Sequence, residues 1–389
     1  MKRLKGHRLI LSYNQVKLKY ARVLDFFFSF ILRPFWKNKS YHPISNPHKI
    51  LVIQSHLVGD VVMATPVLKA LKKAYPGAKI FFLVNEFGQD LVGGLPYVDR
   101  IVSIKFPWST YDYSLKNLLL VLESIKELRK ERFDLAIDAQ IDMRNAFLMY
   151  LIGAERRLSY DITGGKIFLT DVPSFPENVV NLLEARLSLL NCLGIDTNDK
   201  TTELPISQES MEWVNSYLER SQLNKEKIVG IHPGASKKEK LWQPEKFAKV
   251  IEYLTFKDYQ PVVIEGPNDA EIVSSIIGMS SVTVPIVKTS LKNVVAFISC
   301  CRLIICCDSA AIHIAGAVGT PVVALYGPKW PELTKPFNDN IEVLWADDFD
   351  CRPCEYGRCK HIGYSCMDAI AVGEVIAKVN KMLNFSNEP

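Results

Sequence analysis

The sequence predicts an α/β protein of two doubly wound, parallel-sheet domains preceded by a basic helical extension. Three observations predict this. From Lys49 onward, short runs of β-branched and aromatic residues alternate with longer stretches of helical period, and parallel strands need such long return connections. The alternation breaks at the polar stretch 196–207 and then restarts. Residues 1–48 stand apart, with ten Lys/Arg against a single acid, Asp25.

At 389 residues, with 48% hydrophobic and 23% charged, the chain has apolar material for two cores. That composition excludes a disordered or collagen-like protein. No apolar run approaches the eighteen or more residues of a bilayer span; the run 26–32 includes Ser29. The formal charge of +5 resolves into +9 in the extension and −4 in the rest. A basic terminus on a mildly acidic body points to an anionic surface met locally, not to nucleic acid bound along the chain. Cys300, Cys301, Cys306 and Cys307 sit in or beside an apolar run, where buried thiols are ordinary, and the reading is a reducing, cytoplasmic compartment.

In the extension, Leu9, Tyr13, Val16, Tyr20, Val23, Phe27 and Phe30 recur at the period of one helical face, with Arg8, Lys17, Lys19 and Arg22 alongside. Such a helix suits a membrane interface, rings among acyl chains and cations near lipid phosphates. A helix packed on the protein's own body is the alternative. A signal peptide fits poorly, because Arg22 and Asp25 interrupt the apolar stretch and Arg33-Pro34 stands where small cleavage-site residues belong.

The first domain, 49–205, reads as strands at 49–54, 79–84, 101–104 and 135–138, with helices at 66–75, 115–132, 143–152 and 179–193. The second, 206–370, reads as strands at 228–232, 261–265, 303–306 and 321–325, with helices at 244–254, 269–277, 291–299 and 312–318. A terminal segment, 371–389, carries a last helix at 373–383. Two such sheets predict a cleft between them, with ligands beyond the carboxyl ends of the strands. Functional residues are therefore expected just after strands.

Three segments meet that expectation. The first strand runs into Ser55-His56-Leu57-Val58-Gly59-Asp60. Pro66 then either starts a helix capped by Thr65 or kinks one that began earlier. Asp60 projects from this strand-to-helix loop; an N-cap role is the bland reading. In the second half, His232-Pro233-Gly234-Ala235-Ser236 follows a strand, with Lys237, Lys238, Lys240 and Trp242 next. A Gly/Ser loop with lysines suits an anionic ligand such as a diphosphate. Finally the strand at 303–306 delivers Asp308 and Ser309 as caps of a helix with Ala310, Ala311 and His313 in its first turns. The amides of that helix start favour phosphate oxygens. His313 faces either the ligand or the core.

Taken together, these segments resemble glycosyltransferase family 9, the ADP-heptose:lipopolysaccharide heptosyltransferases. The carriers are Ile50 to Asp60 with Pro66 and Pro76, then His232-Pro233-Gly234 with Lys240 and Trp242, then Asp308-Ser309 with His313, Gly319-Thr320-Pro321 and Gly327-Pro328. The resemblance implies a GT-B fold, two Rossmann-like domains facing across a cleft, with acceptor on the first and nucleotide-sugar on the second. It implies inverting transfer from a nucleoside-diphosphate-sugar to a lipid-linked saccharide at the inner face of the cell membrane, held there peripherally. Asp60 matches the proposed general base and Lys240 the lysine near the donor phosphates. Ser236, Ser309, Ala310, Ala311 and His313 would hold the donor, and Asp308 matches a residue associated with its sugar. Glu271 would reach the ribose, with Asp269 the alternative. No metal is expected to be required, although a divalent cation is permitted; Asp348-Phe349-Asp350 has a metal-binding spelling but lies outside the matched segments. A nucleotide-sugar epimerase or hydrolase, or a non-catalytic binder, uses the same scaffold.

Two features depart from the family pattern. Ala310 stands where glycine is usual, and Lys329-Trp330 follows Gly327-Pro328 in place of the more typical Thr-Asp. Separately, Cys351, Cys354, Cys359 and Cys366 form C-x2-C-x4-C-x6-C, a spacing open to a structural metal, a disulfide or unligated thiols.

Overall fold

The computed structural model describes residue 23 and residues 46–107, 112–352, 354, 359–361 and 363–384. Apart from Val23, which is helical, the helix-period stretch of the extension lies outside the described residues. The chain divides into two compact units, Met1–Lys200 and Thr201–Pro389. Among the described residues, no helix is long and apolar enough to cross a membrane.

The first unit holds β1 (Lys49–Ile53), β2 (Lys79–Val84), β3 (Arg100–Ser103), β4 (Leu135–Asp138) and β5 (Arg156–Leu158) in one sheet ordered β3-β2-β1-β4-β5. Every pairing is parallel. Ile50, Leu51, Val52 and Ile53 are fully buried, as an unbroken apolar run at the centre of a parallel sheet requires. Helices α1 (Val58–Ala74), α2 (Glu86–Val92), α3 (Leu115–Glu131), α4 (Met143–Leu151) and α5 (Leu182–Ser188) make the returns. Phe81 meets Phe133 edge-on at 5.1 Å in a core with Leu51, Ile53 and Leu128.

Helix α1 corrects the reading that placed a helix at 66–75. It starts eight residues earlier and runs through Pro66. Proline has no N–H for the carbonyl four residues back, and a helix interior normally pays about 3 kcal/mol for that. Here the Thr65 hydroxyl donates to that same carbonyl, Val62 O, at 2.9 Å. The orphaned acceptor is filled, so the helix continues. The helix expected at 179–193 is shorter, α5 followed by a tighter 3-10 stretch, Leu189–Leu193.

The second unit opens with α6 (Gln208–Arg220) and builds a six-stranded parallel sheet from β6 (Ile228–His232), β7 (Gln260–Ile264), β8 (Ile286–Val287), β9 (Leu303–Cys307), β10 (Val322–Tyr326) and β11 (Ile341–Trp345). Its order is β11-β10-β9-β6-β7-β8. Helices α7 (Pro244–Phe256), α8 (Ala270–Met279), α9 (Leu291–Ser299) and α10 (Ala310–Val318) connect the strands. Cys306 and Cys307 are fully buried in β9, and burial pushes the Cys307 thiol up to about 12; they act as small apolar residues. The last helix, α11 (Val372–Met382), puts Val375 and Val379 into this unit's own core. It is an integral layer of the second unit, not a separate terminal segment.

Among the described residues, the α-helices and strands that escaped sequence reading are α2, β5, α6, β8 and β11. Strand β5 shows why. Its residues, Arg156, Arg157 and Leu158, are all buried, yet two are arginines. Arg156 is satisfied by Asp171, with Nε at 3.1 Å from Oδ2, and Arg157 by the carbonyls of Phe168 and Ala154. Partners distant in sequence make a charged strand possible, and no local pattern announces them.

Candidate active site

In each sheet the first strand feeds neighbours on one side and later strands fill the other, which creates a crevice where the order reverses. The crevice lies between β1 and β4 in the first unit and between β6 and β9 in the second. The residues expected to carry chemistry emerge at these two places.

In the first unit Asp60 is the third residue of α1, which follows β1 after a four-residue loop, 54–57, and the cap position belongs to Leu57. Asp60 is therefore not an N-cap. Its Oδ1 accepts from Arg186 Nη2 at 2.7 Å, and its backbone carbonyl from Arg186 Nη1 at 3.1 Å. Its Oδ2 lies 3.0 Å from His56 Nδ1. The Arg186 side chain, from α5, is only 3% exposed and that of Asp60 18%. Burial alone would raise the Asp60 pKa, but the His56 hydrogen bond and the Arg186 charge outweigh it and hold the carboxyl far below the usual carboxylate range. Asp60 is ionised at any physiological pH. Each carboxylate oxygen has a second lone pair, so a hydroxyl can still be accepted beside these two partners.

The loops around Asp60 are pinned across the crevice. Arg186 Nε donates to Ala139 O at 2.8 Å, and Gln140 Oε1 accepts from Ser55 N at 3.1 Å. The turn carrying Ala139 and Gln140 is itself wrapped around Asp138, the last residue of β4. Asp138 accepts from Gln140 N at 3.0 Å, Asp142 N at 2.7 Å, Asn145 Nδ2 at 2.9 Å and Ser159 Oγ at 3.1 Å. Full burial nonetheless raises its pKa to about 6 against those hydrogen bonds.

In the second unit Lys240 ends a short 3-10 turn and is buried. Its Nζ lies 2.6 Å from Asp308 Oδ2 and 3.3 Å from Asp308 O. An ammonium has three N–H donors, so one remains for an anion. Asp308 was expected to cap the following helix; instead it neutralises Lys240, and Ser309 alone is the cap of α10. Ser309 Oγ accepts from Ala311 N at 3.4 Å and lies 3.3 Å from His232 Nδ1. The Ala311 amide, expected in a phosphate cradle, is thus engaged by its own cap.

His232 closes β6, and its Nε2 stands 3.6 Å from Asp269 Oδ2. Burial lowers the His232 pKa despite the opposing pull of Asp269, so the ring is neutral near pH 7. The tautomer protonated on Nε2 suits both neighbours: it faces Asp269 and leaves Nδ1 to accept the Ser309 hydroxyl. Asp269 also accepts from Gly266 N at 3.0 Å. A Cβ added to Gly234 or Gly266 would overlap the Asp269 carboxylate; both glycines exist to admit it.

The remaining expected residues divide between surface and core. Ser236 and Glu271 are exposed, Ala310 is partly buried, and Ala311 is buried. His313 is 6% exposed, on the core side of its helix. Trp242 is fully buried, its Nε1 donating to Ile370 O at 3.1 Å, so it is core. Trp330 is partly buried. In the cysteine-rich loop, Cys351 and Cys354 bring their sulfurs to 3.9 Å. Burial and the neighbouring thiols push Cys354 up to about 12. The cysteines are free thiols, and among the described residues no three Cys, His, Asp or Glu side chains are gathered to hold a metal. Sequence reasoning missed Arg186, Asp138 and the Asp60 contact of His56. Only His56 left a trace, the i, i+4 spacing to Asp60.

Two doubly wound Rossmann-like units, each presenting charged side chains at its switch point, define a GT-B protein. The profile of glycosyltransferase family 9 (heptosyltransferase) matches residues 121–364, and the chain belongs to that family. It is 31% identical over 336 residues to lipopolysaccharide heptosyltransferase 3 of Escherichia coli K12, covering 84% of this chain and 95% of the relative. Among solved structures, a family 9 glycosyltransferase from Veillonella parvula superposes with a TM-score of 0.75 at 23% identity, over 88% of this chain and 99% of that one. The E. coli ADP-heptose lipopolysaccharide heptosyltransferase II superposes at 0.70 with 21% identity, over 86% and 98%. These two likenesses concern the fold.

Proposed function

We propose that this chain transfers a heptose from ADP-heptose to a saccharide of the lipopolysaccharide core, inverting the anomeric carbon and requiring no metal. Family membership and the names of its relatives support the sugar and the acceptor. The observation that carries the chemistry is the placement of Asp60, a carboxylate at the first switch point whose two oxygens are already oriented by Arg186 and His56.

In this reading an acceptor hydroxyl attacks the anomeric carbon, the bond to the diphosphate oxygen breaks, and Asp60 takes the hydroxyl proton. Because His56 and Arg186 depress its basicity, Asp60 receives that proton late, when the new glycosidic bond has acidified the hydroxyl. Positioned general-base help of this kind is worth about 10²–10⁴-fold. On the donor side the leaving ADP gains negative charge. The Lys240 ammonium, held by Asp308, and the start of α10 supply fixed positive potential to offset it. Ser236, exposed on the loop after β6, and Glu271, exposed in the first turn of α8, are proposed donor contacts.

The test is incubation with ADP-heptose and a panel of truncated lipopolysaccharide cores, following ADP release and the mass of the acceptor. Mass gain by one heptose with equimolar ADP is expected. Donor consumed equally fast without acceptor would replace transfer by hydrolysis or epimerisation. We further propose that residues 1–48 hold the enzyme on the inner face of the membrane. Deleting residues 1–40 is expected to reduce sedimentation with anionic vesicles while the far-UV spectrum stays native.

A further inference from the structure

The first unit carries an apolar surface that the transfer chemistry does not use. Helix α3 buries Asn117 and Leu128 and packs Val121 and Ile125 on the core. On the opposite face, Leu115 is 73%, Leu119 57% and Leu122 53% exposed. With Leu118 at 41%, these leucines follow the i, i+3, i+4, i+7 spacing of one helical stripe. A contiguous apolar stripe on a solvent-facing helix marks an interaction surface.

Charge along the same helix identifies the kind of partner. Lys116, Lys126, Arg129, Lys130 and Arg132 are exposed. Of the acids, Glu131 is consumed by Lys49 and Arg100, at 2.7 Å each, and Glu127 pairs with Lys130 at 2.5 Å, which leaves Glu123 against Lys116, Lys126, Arg129 and Arg132. The surface is leucine-rich at its start and cationic toward its end. That pairing matches a leaflet of anionic lipid, which offers acyl chains below and phosphates at the rim.

Topology places this surface where such a leaflet is needed. Strands β1, β2 and β3 are parallel neighbours, so β1 and β3 are about 10 Å apart and their chains exit at the same sheet edge. Asp60 follows β1 at that edge. The leucines open α3, which follows β3 at that edge and returns to feed β4. We infer that the Leu115–Leu119–Leu122 face of α3 docks on the anionic lipid leaflet, presenting the Asp60 edge of this unit to a saccharide standing on that leaflet. That the saccharide is the acceptor rests on the transfer reading above; the lipid contact itself does not.

The experiment uses the full chain and vesicles of phosphatidylethanolamine and phosphatidylglycerol, 3:1, with no saccharide. The indole introduced by Leu119→Trp is expected to blue-shift its emission on vesicle addition and to be quenched by brominated acyl chains. The triple variant Leu115→Glu, Leu119→Glu, Leu122→Glu is expected to weaken vesicle partitioning at least tenfold. ADP affinity should stay unchanged. Transfer to bilayer-held acceptor should fall by a similar factor, whereas transfer to a delipidated core oligosaccharide should not. Unchanged partitioning of the triple variant overturns the inference. So does emission from the introduced indole that is already blue-shifted without vesicles and loses that shift on deleting residues 1–40, which would make the chain's own extension the occupant. Vesicle binding with no transfer to any acceptor sinks the transfer reading and leaves the docking surface standing.

Discussion

Arg186 and Asp60, 126 positions apart, meet through a 2.7 Å hydrogen bond, and the same guanidinium reaches back to the Asp60 carbonyl and across to Ala139 O. With His56 on the other oxygen, this buried side chain sets the orientation and lowers the basicity of the carboxylate proposed to take the acceptor's proton.

Removing Arg186 has a signed pH signature. The folded Asp60 pKa is depressed, so the pair's stabilisation is fully present above the unfolded value of about 4 and is lost only as pH falls toward the folded value. Arg186→Met should destabilise the protein by about 3–5 kcal/mol near pH 7, the cost of an unpaired buried charge. The loss should shrink toward acid pH, where the released Asp60 protonates and the charge disappears. Thermal denaturation between pH 3 and 7 checks this, and a pH-independent loss would contradict it. An acid limb in the transfer rate should also rise into the measurable range.

Asp60→Asn keeps an oxygen for Arg186 and removes the proposed base. Turnover should fall by about 10²–10⁴-fold, while calorimetric ADP affinity changes less than twofold. Equal losses in both would reassign Asp60 to donor binding.

Lys240 and Asp308 are a buried pair, 10% and 7% exposed at their side chains. Lys240→Met should cost about 3–5 kcal/mol in a urea titration. Adding Asp308→Asn should recover much of that, because no charge is then left alone. Affinity for ADP should stay at least tenfold weaker in both variants. Restoration of ADP binding by the second substitution would remove Lys240 from the donor site.

Gly234→Ala should drive the Asp269 carboxylate from its seat and destabilise the second unit by about 1–3 kcal/mol. In an Asp269→Ala background the same substitution should be nearly neutral. A cost that persists there would point to backbone strain and not to the carboxylate.

The strands with unbroken apolar runs, β1, β2, β4, β6 and β9, were legible within a residue because burial on both faces of a parallel sheet leaves little freedom in composition. Asp60 and Lys240 were singled out because they follow strands. The start of α1 was not legible, since Pro66 signals a boundary and only the Thr65 hydroxyl bond to Val62 cancels it. Nor was β5, whose arginines are buried by partners as distant as Asp171.

From sequence alone came the two-domain α/β plan, the family, and the candidate positions at strand ends, because periodicity and strand-end motifs are local properties of the chain. Tertiary structure decided what those positions are electrically. Asp308 became the partner of Lys240 and not a cap, Asp60 an anion clamped by Arg186 and His56, and Asp269 a carboxylate admitted by two glycines. Charge state follows from burial and from neighbours within about 4–6 Å, and folding brings those neighbours from across the chain.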